Sequence, residues 1–346
     1  MNKIHITMNN KFFTYILSAL LFVFPIHLLF IFLKNLLYDL KIFKTRKVDA
    51  KVVSIGNIAL GGTGKTPTTI AIANFLEKKG YAVGIVTRGH GRENISNSFL
   101  LKDHGWKECG DEVILLKNNT SSNTHIFVSL DKIYAAEQLS KMGCDIVLLD
   151  DGFQHRRIHR DIDIVLLGPE NQNKKWQLIY PYGLLREPYC YLRRADITIS
   201  TKSNLIKSTN RRSDYALSLE IKKEIISSGS IKNIHDLGNK SGIISVCSIG
   251  DPESFSKTLS NINIDVSKKL VFPDHWPFSL SDIEKINRLA VKEGLKHIVC
   301  TEKDFVKLLE FKNVLNVDVN AVVMKHDLSE EVEQDILGRL KQNLHH

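Results

Sequence analysis

Cysteine is scarce and scattered: five in 346 residues, an odd count, with no pair spaced C-x-x-C. Cys109, Cys144, Cys190, Cys247 and Cys300 therefore frame neither a disulfide scaffold nor a zinc ribbon, and reduced thiols in a cytosolic compartment are expected. Internal repeats and low-complexity tracts are also missing, which sets aside solenoid and collagen-like chains. No A-x-A site follows the apolar run near the N-terminus, which disfavours a cleaved signal peptide. No DNA- or RNA-binding module is visible, so nucleic acid is not an expected partner. What is present is the mix of a folded globular protein, 43% apolar and 25% charged, with length enough for two domains. The net charge of +9 suits an anionic lipid or a phosphorylated substrate.

Phe12 to Leu33 runs 22 residues without a formal charge, interrupted by Pro25 and His27. As a helix at ~1.5 Å per residue it reaches ~33 Å, the depth of a bilayer core. A buried core helix competes with this reading; a membrane helix or deep re-entrant anchor is the one adopted. Next, Leu36, Leu37, Leu40 and Phe43 share one helical face, while Lys34, Asn35, Lys41 and Lys44 lie mostly elsewhere. An interfacial helix on anionic headgroups fits this pattern, as does an amphipathic helix packed on the soluble body. Lys41, Lys44, Arg46, Lys47 and Lys51 follow the span and only Lys3 and Lys11 precede it, so the positive-inside bias puts the body on the cytoplasmic face of the inner membrane.

From Val52 onward, short β-branched runs alternate with helical stretches. Val52–Ile55, Ala82–Thr87, Ile126–Val128, Ile146–Leu149, Ile162–Leu167 and Ile197–Ser200 read as buried parallel strands. Lys65–Lys79 and Asp131–Met142 read as helices stopped by Gly80 and Gly143. The polar stretch Lys202–Asp214 marks a boundary. Beyond it lie strands Ile243–Cys247, Lys269–Phe272 and His297–Cys300, with helices Leu280–Glu293 and Phe305–Leu309. The expected class is α/β: a P-loop NTPase-like parallel sheet domain (48–210), a smaller α/β domain (211–346) and an N-terminal membrane anchor (1–47).

The sharpest chemical signal is Ala59-Leu-Gly-Gly-Thr-Gly-Lys-Thr66, set between a strand and a helix. Gly61, Gly62, Thr63 and Gly64 let backbone amides wrap phosphate oxygens at a helix N-terminus. Lys65 then reaches the β- and γ-phosphates and Thr66 a Mg²⁺ ion, with ATP as the nucleotide. Ala59 stands where this loop usually begins with glycine. Ile146-Val-Leu-Leu-Asp150-Asp151 is an apolar strand ending in carboxylates, the arrangement that holds Mg²⁺ or its water shell. The basic run His155, Arg156, Arg157, His159 and Arg160 reads either as a solvated charge cluster or as a grip for a substrate phosphate or headgroups.

Asp150-Asp-Gly-Phe-Gln-His155 joined to the glycine loop resembles the tetraacyldisaccharide 4′-kinase family of lipid A biosynthesis. In-order matches at Gly56-Asn57, Thr87-Arg88-Gly89, Gly110-Asp111-Glu112, Gly183-x-x-Arg186-Glu187, Ser248-Ile-Gly250-x-Pro252, Asp274-His275 and Thr301-Glu302-Lys303-Asp304 extend the resemblance to about residue 310. It implies transfer of the ATP γ-phosphate to the 4′-hydroxyl of a tetraacylated glucosamine disaccharide 1-phosphate, giving lipid IVA, at a membrane and with Mg²⁺. It implies further that Asp111 and His275 form a catalytic dyad beside Lys65. Thr66, Asp150, Asp151, Glu112 and Glu187 would serve the metal, and Arg88, Gln154, His155, Arg156 and Arg157 the sugar lipid. Val113, Tyr182 and His90 depart from common family residues at their positions. Without the resemblance, Asp111 reads as a helix cap and His275 as a loop histidine. A membrane-associated P-loop switch ATPase is the alternative class; such proteins usually carry an extra lysine where Ala59 and Leu60 stand.

Overall fold

The computed structural model describes residues 26–168, 178–180, 182–203, 213–227, 230–238 and 241–342. Most of the expected membrane span, 12–25, lies outside them. Among the described residues no helix is long and apolar enough to cross a membrane.

The chain enters through helix α1 (26–39) and builds an eight-stranded sheet. Its strands are β1 (Lys51–Asn57), β2 (Val83–Thr87), β3 (Phe99–Leu100), β4 (His125–Val128), β5 (Ile146–Asp150), β6 (Ile162–Leu167), β7 (Ile197–Ser200) and β8 (Tyr215–Ala216), in the order β3-β4-β2-β5-β1-β6-β7-β8. All neighbours are parallel except the short β3–β4 pair. The continuous apolar runs predicted as strands are buried on both faces, as a sheet covered by helices requires. Those helices are α2 (Lys65–Lys78), α3 (Trp106–Cys109), α4 (Asp111–Asn119) and α5 (Lys132–Lys141). Asp131 caps α5 by accepting from the Ile133 and Tyr134 amides, and Gly143 ends the turn after it at a φ of 87°.

A second sheet of six strands follows, ordered β10-β9-β14-β13-β11-β12. It comprises β9 (Leu219–Ser227), β10 (Ser230–Asn233), β11 (Ile243–Cys247), β12 (Lys268–Val271), β13 (His297–Thr301) and β14 (Asp318–His326). Strands β11 to β14 run parallel, and the antiparallel pair β9–β10 extends one edge. Its helices are α6 (Ile234–Gly238), α7 (Pro252–Asn261), α8 (Leu280–Glu293) and α9 (Glu302–Leu308). Ser279 and Asp282 form a reciprocal cap at the start of α8, and Gly294 closes it at a φ of 66°.

Two elements cross the expected division at residue 210. Strand β8 adds to the first sheet. The last helix, α10 (Glu330–Gln342), turns back to the first body, where Val332, Ile336 and Leu340 join the core formed with Ile72, Ile164 and Leu217. The i, i+4, i+8 spacing of these three apolar residues puts them on one face of α10, suited to that core.

Candidate active site

The register of the first sheet sets the site. Strand β1 lies between β5 and β6, with Ile55 opposite Asp150. The glycine loop after β1 and the two aspartates at the end of β5 therefore emerge side by side at the carboxyl edge of the sheet, where open parallel sheets bind ligands. They face a cleft of about 660 Å³ shared by the two bodies.

Gly61 and Gly64 adopt φ values of 114° and 79°, open to glycine and strained for other residues. Asn57 donates to the Thr63 hydroxyl at 2.8 Å, and Gln154 donates to the Asn57 carbonyl at 2.8 Å. Thr201, just past β7, donates to the Thr63 carbonyl at 2.8 Å. Gln154, expected at the sugar, thus commits its amide group to bracing the phosphate loop. Ala59 is buried with Ile58, Phe153, Val165 and Leu185, so its methyl completes a small core in place of the usual glycine. His326, arriving on β14, packs against Gly64 and bonds the Thr68 hydroxyl at 2.8 Å.

Asp151 sits at a φ of 52°, and both its oxygens accept from Arg186 at 2.9 Å, with Lys65 at 3.9 Å. Burial would raise its carboxyl, but Lys65 and Arg186 hold it at about 2. Asp150 goes the other way, raised to about 6 by burial and the nearby Glu112. One Asp150 oxygen accepts from Thr87 at 3.0 Å, while Oδ1 is buried with no hydrogen-bond partner among the described residues. Lys132, fully buried, props the turn from below by donating to the Asp150 and Asp151 carbonyls; burial lowers its ammonium to about 8. An orphaned carboxylate oxygen near Lys65 and Thr66 fits a hard cation. Among the described residues no group of three or more His, Cys, Asp or Glu side chains is arranged to hold a metal alone. Mg²⁺, which keeps waters and takes phosphate oxygens, suits such a partial ligand set.

Across the cleft the loop after β12 carries His275 at a φ of 57°. Its Nδ1 lies 2.9 Å and 3.1 Å from the two oxygens of Asp111 at the start of α4. Burial pulls the imidazole pKa down, but the Asp111 carboxylate raises it on balance. Burial likewise opposes ionisation of Asp111, yet His275, Lys303 and Lys307 hold it at about 2. The His90 ring lies 4.4 Å from that of His275, so this departure from the family pattern touches the dyad. Glu112, expected at the metal, is ion-paired with Lys303 of α9.

Two other expected residues sit elsewhere. Glu187 does not line the cleft; its carboxylate, 4% exposed, is paired with Arg194. Arg194 also donates to Asn35 of α1 at 3.1 Å, so Glu187 lies in the seat of that helix. Arg156, expected at the substrate, donates to the Asn35 carbonyl and side-chain oxygen at 3.0 and 3.1 Å and to Asp39 at 2.8 Å. Arg88 is exposed and lines the cleft, and Arg157 is exposed. His155 is pushed down to about 4 by burial and by neighbouring cations, and its Nε2 is buried with no hydrogen-bond partner among the described residues. Sequence reasoning gave no role to Lys132, Arg186, Lys202 or Lys307. Lys202, at the end of β7, reaches Asp251 of the second body at 3.2 Å and lines the cleft. The only available hints were the positions of Arg186 beside Glu187 and Lys307 one turn beyond Lys303.

Residues 16–341 match the family described as tetraacyldisaccharide-1-P 4′-kinase. The chain is 33% identical over 306 residues to the tetraacyldisaccharide 4′-kinase of Syntrophus aciditrophicus, covering 80% of each chain. With the enzyme of the same name from Halothermothrix orenii it is 30% identical over 351 residues, 92% of this chain and 90% of the relative. A crystal structure of LpxK from Aquifex aeolicus in complex with ATP superposes with a TM-score of 0.73 at 27% identity, covering 93% of this chain and 98% of that one.

Proposed function

The chain belongs to the tetraacyldisaccharide-1-P 4′-kinase family, and from that premise we propose how its residues carry out the reaction at a membrane surface. The enzyme transfers the γ-phosphate of ATP to the 4′-hydroxyl of tetraacyldisaccharide 1-phosphate, forming lipid IVA. The observation that carries the mechanism is the Asp111–His275 pair, 2.9 Å apart across the cleft that holds the glycine loop.

The loop amides and Lys65 take the β- and γ-phosphates, which lowers the cost of concentrating charge there. Thr66, Asp150 and Asp151 are the residues that would hold Mg²⁺, with Arg186 and Lys132 setting the aspartate turn. When bound, the ion neutralises phosphate oxygens. His275 donates Nδ1–H to Asp111, so Nε2 carries the lone pair that accepts the 4′-hydroxyl proton as the oxygen attacks. The Asp111 carboxylate then balances the imidazolium. Arg88 and Arg157, both exposed, are the cations offered to the acceptor's existing phosphate, while His155, held neutral by burial and its cationic neighbours, adds no charge there.

The membrane reading rests on α1. Its inner face, with Ile31 and Asn35 buried, is pinned to the body, while Ile26, Leu29, Phe30, Leu33, Leu36 and Leu40 are exposed along the other side. An apolar ridge of this size beside exposed Lys41, Lys44, Arg46 and Lys47 is suited to acyl chains and anionic headgroups. It supports placement of the catalytic cleft at the cytoplasmic face of the inner membrane, where the acyl chains stay in the bilayer. Incubation with ATP, Mg²⁺ and the lipid disaccharide, followed by mass spectrometry, tests the reaction: a gain of one phosphoryl group on the lipid is expected. Release of free phosphate alone would instead favour a switch ATPase. Flotation with anionic vesicles tests the membrane reading, which fails if charge reversal at Lys41, Lys44, Arg46 and Lys47 leaves binding unchanged.

A further inference from the structure

Helix α9 lies against α4, and three polar pairs cross their contact: Lys307 with Asp111, Lys303 with Glu112 and Glu302 with Asn119. The first pair differs from the others in burial. The Lys307 side chain is 1% exposed, and its ammonium has three partners: Asp304 Oδ1 at 3.1 Å, the Ser248 hydroxyl at 2.7 Å and Asp111 Oδ2 at 3.3 Å. An ammonium has three donors, so all are committed.

Two of the partners belong to the second body and are themselves fixed there. Asp304, fully buried, also accepts from the Ser248 amide at 3.0 Å, the Ser248 hydroxyl and the Thr301 hydroxyl at 2.9 Å. This carboxylate already supplies the counter-charge a buried lysine needs. Asp111, the third partner, comes from the first body and is the group that orients His275. For neutralising Lys307 it is redundant. For Asp111, Lys307 supplies what the other partners do not: the buried carboxylate shares its oxygens with His275 and accepts the Glu112 amide on Oδ1 at 2.8 Å, and Lys307 adds a cation on Oδ2 that is anchored in the second body. The charge tally agrees. Asp111, Asp304 and Lys307 together carry −1, so the cluster becomes neutral when His275 takes a proton.

We propose that Lys307 is a positioning residue for phosphoryl transfer: seated by Asp304 and Ser248 on one body, it reaches across to Asp111 on the other and fixes the carboxylate that aims His275. This rests on the dyad reading above. It also makes the dyad complete only when the two bodies are apposed, because each contributes one member.

The test is steady-state kinetics of the full chain with ATP and the lipid disaccharide for Lys307→Met, His275→Ala and the double variant. Lys307→Met keeps the stem and removes the charge. It should lower kcat by on the order of 10²-fold, within the range of a general-base contribution, and leave the KM for ATP unchanged. In the His275→Ala background it should cost nothing further, because its partner in the reaction is already gone. An equal loss in both backgrounds would mean a structural role only, and a normal kcat for Lys307→Met would remove the residue altogether; either overturns the proposal. A near-normal rate for His275→Ala alone would sink the dyad reading, an outcome separate from the behaviour of Lys307. If Lys307→Met fails to bind ATP and is therefore unfolded, Ser248→Ala carries the test. It withdraws one uncharged partner, and its kcat loss must likewise vanish in the His275→Ala background or the proposal falls.

Discussion

Replacing Arg156 with alanine should loosen helix α1 far more than removing the aspartate it pairs with. The guanidinium makes three kinds of contact with that helix. Two hydrogen bonds go to Asn35, which is 1% exposed, one goes to Asp39, and the Tyr38 ring lies beneath at 5.0 Å. The Asp39 side chain is 36% exposed, so that ion pair contributes roughly 0.2–1 kcal/mol after solvent screening. A charged donor on a buried amide contributes about 1.5–3 kcal/mol and the ring contact about 0.5–1 kcal/mol. Allowing for non-additivity, Arg156→Ala should cost about 3 kcal/mol of docking free energy and Asp39→Ala about 0.5 kcal/mol. Hydrogen exchange over residues 26–39 reads this directly, because protection there reports the local opening equilibrium. Exchange should accelerate by roughly 100-fold or more in Arg156→Ala and only about twofold in Asp39→Ala, at about 1.4 kcal/mol per tenfold. Equal acceleration in the two variants would show that the exposed pair dominates. Unchanged exchange in Arg156→Ala would refute the clamp and return this arginine to the substrate.

Three other changes probe the nucleotide side. Gly64→Ala places a methyl 2.5 Å from His326 Cε1 at a φ of 79°. With about 1–2 kcal/mol of left-handed backbone strain added to the clash, ATP affinity by calorimetry should fall at least roughly tenfold, and truncating His326 should restore only part of it. His326 is held neutral at about 4, mainly by burial, against an ordinary 6.5. The unfolded chain therefore binds the extra proton as pH drops from 6.5 to 4, and folding stability falls over that window. His326→Leu should remove roughly 2 kcal/mol from the stability difference between pH 7 and pH 5, measured by urea unfolding; an unchanged difference would disprove the assignment. Ala59→Gly should lower the melting temperature through about 1 kcal/mol of lost packing and added chain entropy, with the KM for ATP unmoved.

The sheet strands that bind the nucleotide were legible because burial on both faces leaves unbroken apolar runs. Ile162–Leu167, Ile197–Ser200 and Ile243–Cys247 have the bounds read from sequence. The phosphate loop was legible because its chemistry is local, spanning one strand end and one helix start. Strands β9 and β14 escaped notice: β9, Leu-Glu-Ile-Lys-Lys-Glu-Ile-Ile-Ser, has neither a long apolar run nor strict alternation, and β14 has only the short run Ala321–Met324 between polar ends. The dyad was reached only through the family resemblance, since Asp111 and His275 are 164 positions apart. Glu187 and Arg156 make contacts with the seat of α1 that the sequence did not foretell, for one reason. A charge beside a motif looks available in sequence, and only the fold reveals that α1 has already claimed it.

Helix α10 has a consequence for how the protein is made. Val332, Ile336 and Leu340 close the core beneath Ile72 and Ile164, yet in chain order they come only after the whole second body. The nucleotide-binding body therefore waits, with part of its interior open to water, until the whole second body has been synthesised. Translation stalled anywhere before residue 330 leaves that seam uncovered, a patch that chaperones recognise and that aggregation exploits.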